Sequence, residues 1–253
     1  MSPAGVGTLQ GHRPLSARLW LDAISLERDV PDGQQSVVAA DIVALMDVLK
    51  IEKATLGGFD WGARTADIIA ALWPERCEGL VSVSGYLIGS QEAGKAPLPP
   101  AAELQWWYQY HFATERGRAG YHNTGTTLRS LFGNSRRRSG SSMTPRSIAR
   151  RRRSKTRIMS RLIHNYSWRL GLAGGEPKYD DLEKRLAEGP VITVPTITLE
   201  GDANGAPHPE SAAYRSKFSG KYEHRLITGG VGYNLPQEAP QAFAQAIVDV
   251  TEV

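Results

Sequence analysis

Apolar positions recur at helical spacing between Gln35 and Leu49, where Val38, Ile42, Leu45 and Leu49 share one face, and the pattern predicts a helix. The short apolar run Ala54-Thr55-Leu56 follows and is broken by Gly57-Gly58. Trp61 to Leu72 has a helical period again and is stopped by Pro74. Gly79 to Ser84 reads as a buried strand, and Pro97 to Pro100 marks a linker. Helices are predicted over Glu103–Ala113, Tyr179–Glu188 and Pro236–Val250, and strands over Val194–Leu199 and Glu223–Thr228. Strands alternating with helices imply an α/β fold with a parallel sheet. The expected organisation is a leader over 1–34, a core half over 35–96, an inserted region over 97–190 and a second core half over 191–253.

One segment carries chemistry. Gly58-Phe59-Asp60-Trp61-Gly62 lies between a short strand and a helix, the small-x-nucleophile-x-small pattern of a nucleophile elbow. A side chain on so sharp a turn stands clear of the sheet, and both flanks of the turn are expected to be small. The helix N-terminus behind it favours negative charge. The pentapeptide alone leaves a second reading open, in which Asp60 merely caps the helix that starts at Trp61.

The longer string Gly57 to Arg64 (GGFDWGAR) resembles the nucleophile segment of epoxide hydrolases and haloalkane dehalogenases, α/β-hydrolases with an aspartate nucleophile. The resemblance runs over about 34–121 and 163–253. It implies an α/β-hydrolase fold with a partial, mostly parallel sheet flanked by helices and an inserted cap that is partly degenerate. It implies Asp60 as nucleophile and Trp61 as a substrate-binding neighbour. Gly201-Asp202 opens a string similar to the family's acid motif, with one extra residue before Pro207, so Asp202 would orient the base; a turn aspartate is the plainer alternative. Ile163-His164-Asn165-Tyr166 is similar to the cap segment whose tyrosine bonds the epoxide oxygen, against an ordinary half-buried aromatic. The Trp106-Trp107 pair reads as cap core or pocket wall. The family's base histidine falls in the string Gly230 to Pro240 (GVGYNLPQEAP), where Tyr233 replaces it. A phenol with a pKa of about 10 cannot serve as a base at neutral pH as an imidazole of about 6.5 can. His208 and His224 lie near in sequence, and a lone loop histidine is far more often solvated surface than a substitute base.

Charge changes the picture in one place. Between Arg116 and Arg161 stand 13 Arg and one Lys with no Asp or Glu, 14 of the chain's 30 basic residues. Outside that block 16 basic residues face 26 acidic ones, a net charge of −10, so the overall +4 does not describe a uniformly basic nucleic-acid binder. The Ser/Arg/Gly/Thr-rich stretch 122–161 is expected to stay disordered. The single cysteine, Cys77, rules out an internal disulfide and a multi-cysteine zinc site. No apolar run reaches the roughly 18–20 residues of a membrane span, and Met1 to Arg13 lacks the apolar core of a secretory signal. A cytoplasmic setting without metal or cofactor is expected.

The leader 1–34 lacks a clear period, and nothing upstream of Gln35 resembles the family's oxyanion loop. A permissible back-translation of Pro14–Leu26, shifted by one base, yields an R-G-x-G string like the family's early segment. The opposite shift over His122–Gly140 yields a helix-like string with acid, Trp and Leu. The expectation is a decayed hydrolase, truncated at its start and frameshifted in two stretches, with small apolar epoxides or haloalkanes as ancestral substrates. The competing expectation is a non-catalytic binding protein that uses the Arg-rich 136–161 block as a nucleic-acid arm. That block has no aromatic interleaving beyond Phe132 just before it, which counts against stacking on bases.

Overall fold

A computed structural model describes residues 33–117, 119–120, 164–206 and 209–252. The expected disorder of 122–161, the nucleic-acid arm over 136–161 and almost all of the leader lie outside these residues.

Four strands, β1 (Ala54–Gly58), β2 (Cys77–Val83), β3 (Thr196–Gly201) and β4 (Tyr222–Ile227), form one sheet in the order β1-β2-β3-β4. All three pairings are parallel. Side chains alternate across a strand, and both faces of β2 are covered. Leu80 packs with Ala66, Ala70 and Phe218 on one face. Val81 and Val83 pack with Ile197, Leu199, Leu235, Ala246 and Val250 on the other. The first face is covered by α2 (Trp61–Leu72), with α1 (Gln35–Val48) behind it. The second is covered by α8 (Pro240–Asp249).

The structure moves several boundaries. The Gly57-Gly58 pair does not break the strand; it is the C-terminal half of β1. A Cβ at Gly57 would run into the Ile247 side chain, so the glycine lets α8 close onto the sheet. The last predicted helix is two, α7 (Leu235–Glu238) and α8, because Pro240 cannot continue α7 and instead opens α8. In α1 the fully buried apolar side chains are Val37, Ala39 and Met46; of the predicted stripe Ile42 packs partly buried against the core, and the last member, Leu49, is 39% exposed. The N-terminus of α1 is capped from a distance: Glu183 of α5 (Asp180–Ala187) accepts from Ser36 N–H and Oγ at 2.9 and 2.6 Å.

Between the core halves lie α3 (Gln91–Lys95) and α4 (Pro100–Ala113), which starts within the predicted linker and is kinked at Trp106. A helical stretch at 164–169 packs on α4 through Tyr166, whose ring is 5.9 Å from Tyr108 and 6.4 Å from Phe112. A short α6 (Ser211–Tyr214) precedes β4. Among the described residues no helix is long and apolar enough to cross a membrane.

Candidate active site

Asp60 stands between β1 and α2 with φ 54° and ψ −124°. A positive φ at a residue other than glycine stores about 1–3 kcal/mol of strain, which the surrounding structure must hold in place. Here the neighbours hold it: Gly62 N–H donates to the Phe59 carbonyl at 2.9 Å and Arg64 N–H to the Asp60 carbonyl at 3.1 Å. A Cβ at Gly58 would collide with the backbone of Gly62 and Ala63. A Cβ at Gly62 meets nothing within 4 Å, so the expected need for a small residue holds on one flank only. Asp60 occupies the helix N-cap position, yet its side chain makes no capping hydrogen bond.

The turn aims Asp60 into a cavity of about 190 Å³. Trp61, Tyr166 and Tyr233 border the same cavity, so three of the residues that the family resemblance singles out are brought together with Asp60. Trp106 forms part of the wall, but Trp107 is 49% exposed and sits against His111, so the pair is split. Tyr108, Gln109, Arg64 and Arg169 also border the cavity and were not singled out in the sequence. Arg64 had a readable signal, since it lies one helical turn after Asp60 and shares its face.

Arg64 stacks over the Trp61 ring at 5.3 Å and reaches Gln35 Oε1 at 3.4 Å. Burial, together with the Arg169 charge, pushes its pKa down to about 10. Burial also lowers that of Arg169. Behind them Asp67 is fully buried on α2, accepts from Leu87 N–H at 2.8 Å, and is pushed up to about 7 by desolvation. Among the described residues its Oδ1 has no hydrogen-bond partner of good geometry, although the nearby Ser82 side chain offsets part of the rise.

Asp202 follows the C-terminal end of β3, at the same sheet edge as Asp60. It is exposed and is not among the described residues that border the cavity. Its carboxylate accepts three backbone N–H groups, from Gly229, Gly230 and Val231, each at 2.9 Å. Gly229 and Gly230 have φ of 108° and 81°, which turn their N–H groups toward one carboxylate. Glu238 clasps the next turn, accepting from Gly232 N–H at 2.7 Å and Asn234 N–H at 3.2 Å. Tyr233 is thus carried on a loop pinned from two sides, and its ring meets Phe59 edge-on at 6.3 Å. His224 lies on β4 with Nδ1 3.0 Å from Thr198 Oγ1, away from the residues that border the cavity. His208 lies outside the described residues.

The family model for the alpha/beta hydrolase fold matches residues 7–187. The chain belongs to the α/β-hydrolase fold family. The match begins at residue 7, which corrects the expectation that the chain upstream of Gln35 carries no likeness to the family; it also takes in the arginine block and ends before Asp202 and Tyr233. Among solved structures, a Klebsiella pneumoniae protein described as a candidate epoxide hydrolase is 55% identical with a TM-score of 0.84, over 90% of this chain and 76% of that one. A haloalkane dehalogenase variant from Bradyrhizobium elkanii shares the fold at a TM-score of 0.63 and 20% identity, over 90% of this chain and 76% of its own. Epoxide hydrolase B of Mycobacterium tuberculosis is 32% identical over 92 residues, which is 32% of this chain and 26% of that protein. The chain therefore matches about a quarter of that curated relative's length. This α/β-hydrolase is related to epoxide hydrolases, and it places its elbow as the fold requires, at the C-terminal edge of a parallel sheet.

Proposed function

We propose that this chain is an epoxide-hydrolase-type α/β-hydrolase that keeps the first half of an aspartate-nucleophile cycle and lacks the second. The observation that supports it most is the pairing, in one cavity, of Asp60 in its strained elbow with Tyr233 at the position of the base. In the first half an Asp60 oxygen attacks an oxirane carbon, a carbon–oxygen bond of the ring breaks, and the ring oxygen takes a proton from the Tyr166 hydroxyl. In the second half water must be deprotonated beside that ester, and a phenol does not do this near neutral pH. The Trp61 N–H, the first of α2, would stabilise the oxyanion that forms when water attacks the ester carbonyl.

Asp202 belongs to the second half. Its three backbone bonds leave one acceptor position free for an imidazole N–H at residue 233. The missing base is accordingly one substitution away. The same reading holds that the leader and the 122–161 stretch arose by compensated frameshifts, which the coding DNA would show as a one-base loss and gain against an intact relative. The buried free thiol of Cys77 fits a reducing cytoplasm.

The test is intact-protein mass spectrometry with a small reactive epoxide beside a turnover assay. The expected result is one stable adduct on Asp60, no multiple turnover, and turnover gained in Tyr233→His. Repeated turnover by the unchanged chain would overturn the reading.

A further inference from the structure

The charged residues bordering the Asp60 cavity are, among those described, Asp60, Arg64 and Arg169, an excess of one positive charge. None of the ion pairs among the described residues involves either guanidinium. The two arginines repel each other, and Arg64 lies close enough to Asp60 to feel its charge without forming a salt bridge. Arg169 is flanked instead by Tyr108, Tyr110 and Tyr166. Asp67, held near 7 by burial, supplies only part of a charge, from behind Arg64.

The imbalance persists through the reaction. When Asp60 becomes an ester its negative charge passes to the released ring oxygen and, on proton transfer, to the Tyr166 phenolate, so the excess of one positive charge in the cavity is unchanged. A neutral electrophile does nothing to correct this. An electrophile that brings its own anion does, and partly desolvated guanidinium groups bind carboxylates more strongly than exposed ones do. A second cavity of about 270 Å³ shares Arg64, Arg169, Leu87, Trp106 and Gln109 with the first, so both cations sit at the junction of two open spaces.

We propose that the cavity selects electrophiles bearing a carboxylate, held between Arg64 and Arg169 while the reactive carbon faces Asp60. This rests on the reading of Asp60 as the nucleophile, and it replaces the apolar electrophile that the family resemblance implies. The step is the same ring opening: the Asp60–carbon bond forms, the ring carbon–oxygen bond breaks, and the oxygen takes the Tyr166 hydroxyl proton, leaving a phenolate. The carboxylate remains a spectator.

Two pairs of probes decide it. Glycidate and glycidamide are nearly isosteric epoxides that differ in charge, and labelling of Asp60 by each is followed by intact mass at subsaturating concentration. Glycidate is expected to label at least about tenfold faster, the scale of a charged hydrogen bond. In Arg169→Gln the ratio of the two rates falls toward one, and Arg169→Lys recovers part of it. Equal labelling, or faster labelling by glycidamide, overturns the proposal. Cyclopropanecarboxylate and cyclopropanecarboxamide cannot react, and their binding is measured by calorimetry. If neither epoxide labels Asp60, the nucleophile reading falls, while tighter binding of the carboxylate still supports the anion site. Equal or undetectable binding of the two overturns that site as well. Should Arg169→Gln fail to fold, both comparisons in the unchanged chain remain decisive.

Discussion

Asp67 is a carboxyl group held in the core with one oxygen that has no partner of good geometry among the described residues. Its folded-state pKa of about 7 lies above the ordinary value of 3.8, so between these values the unfolded chain gives up its proton and the folded chain keeps it. Its contribution to stability is therefore complete below pH 3.8 and is lost as pH rises through about 7. Asp67→Asn keeps an acceptor for Leu87 and removes the titration. It is expected to be more stable than the unchanged chain at pH 8 by a few kcal/mol, on the order of 1.4 per pKa unit, with the gain shrinking toward pH 4. Urea unfolding at both pH values checks this, and a pH-independent difference would rule it out. The elbow gives a second expectation at this scale. Gly58→Ala should cost at least about 1–3 kcal/mol, because the added carbon meets backbone, whereas Gly62→Ala should be neutral or slightly stabilising for a helical site. Thermal unfolding of the two variants side by side distinguishes them.

Elements were legible where their punctuation was local. The limits of α2 at Trp61 and Leu72 follow from the elbow and from Pro74, and the structure has the same limits. The strand in Gly57-Gly58 was hidden because glycine carries no apolar signal; its reason is the helix packed above it. The same close approach occurs at Gly79, where a Cβ would come within 2.8 Å of Val250 Cγ1. Gly79→Ala is expected to destabilise by about 1–3 kcal/mol, and adding Val250→Ala should return part of that loss. A double-mutant cycle by denaturant unfolding measures the coupling, and strict additivity would show that α8 does not ride on this glycine. The arginines of the cavity were hidden for the opposite reason. A charged residue on a helix reads as a solvated face, and only the packing of α4 and of 164–169 over the sheet edge encloses Arg64 and Arg169.

At the scale of the whole molecule the site is a product of long-range assembly. Asp60, Tyr166 and Tyr233 come from three distant stretches of chain that border one cavity, while Asp202, outside it, binds the backbone just before Tyr233. A parallel sheet was readable from the alternation of strands and helices, its strand order and register were not, and the meeting of Asp60, Tyr166 and Tyr233 followed only from the family resemblance. If the elbow strain and the enclosed cavity make Asp60 reactive, labelling by an epoxide should vanish over the same urea range as the change in tryptophan fluorescence. Labelling that persists in the unfolded chain would mean that the carboxylate reacts without help from the fold.

The three amides gathered by Asp202, with the two gathered by Glu238, define the path of the chain on either side of residue 233 without using its side chain. Position 233 is therefore a socket: the main chain holds whatever group is plugged in at the border of the cavity that Asp60 also lines. Imidazole, thiol or amine could each be installed there by one substitution with the same backbone, which makes the chain a ready chassis for comparing bases in a single enclosure.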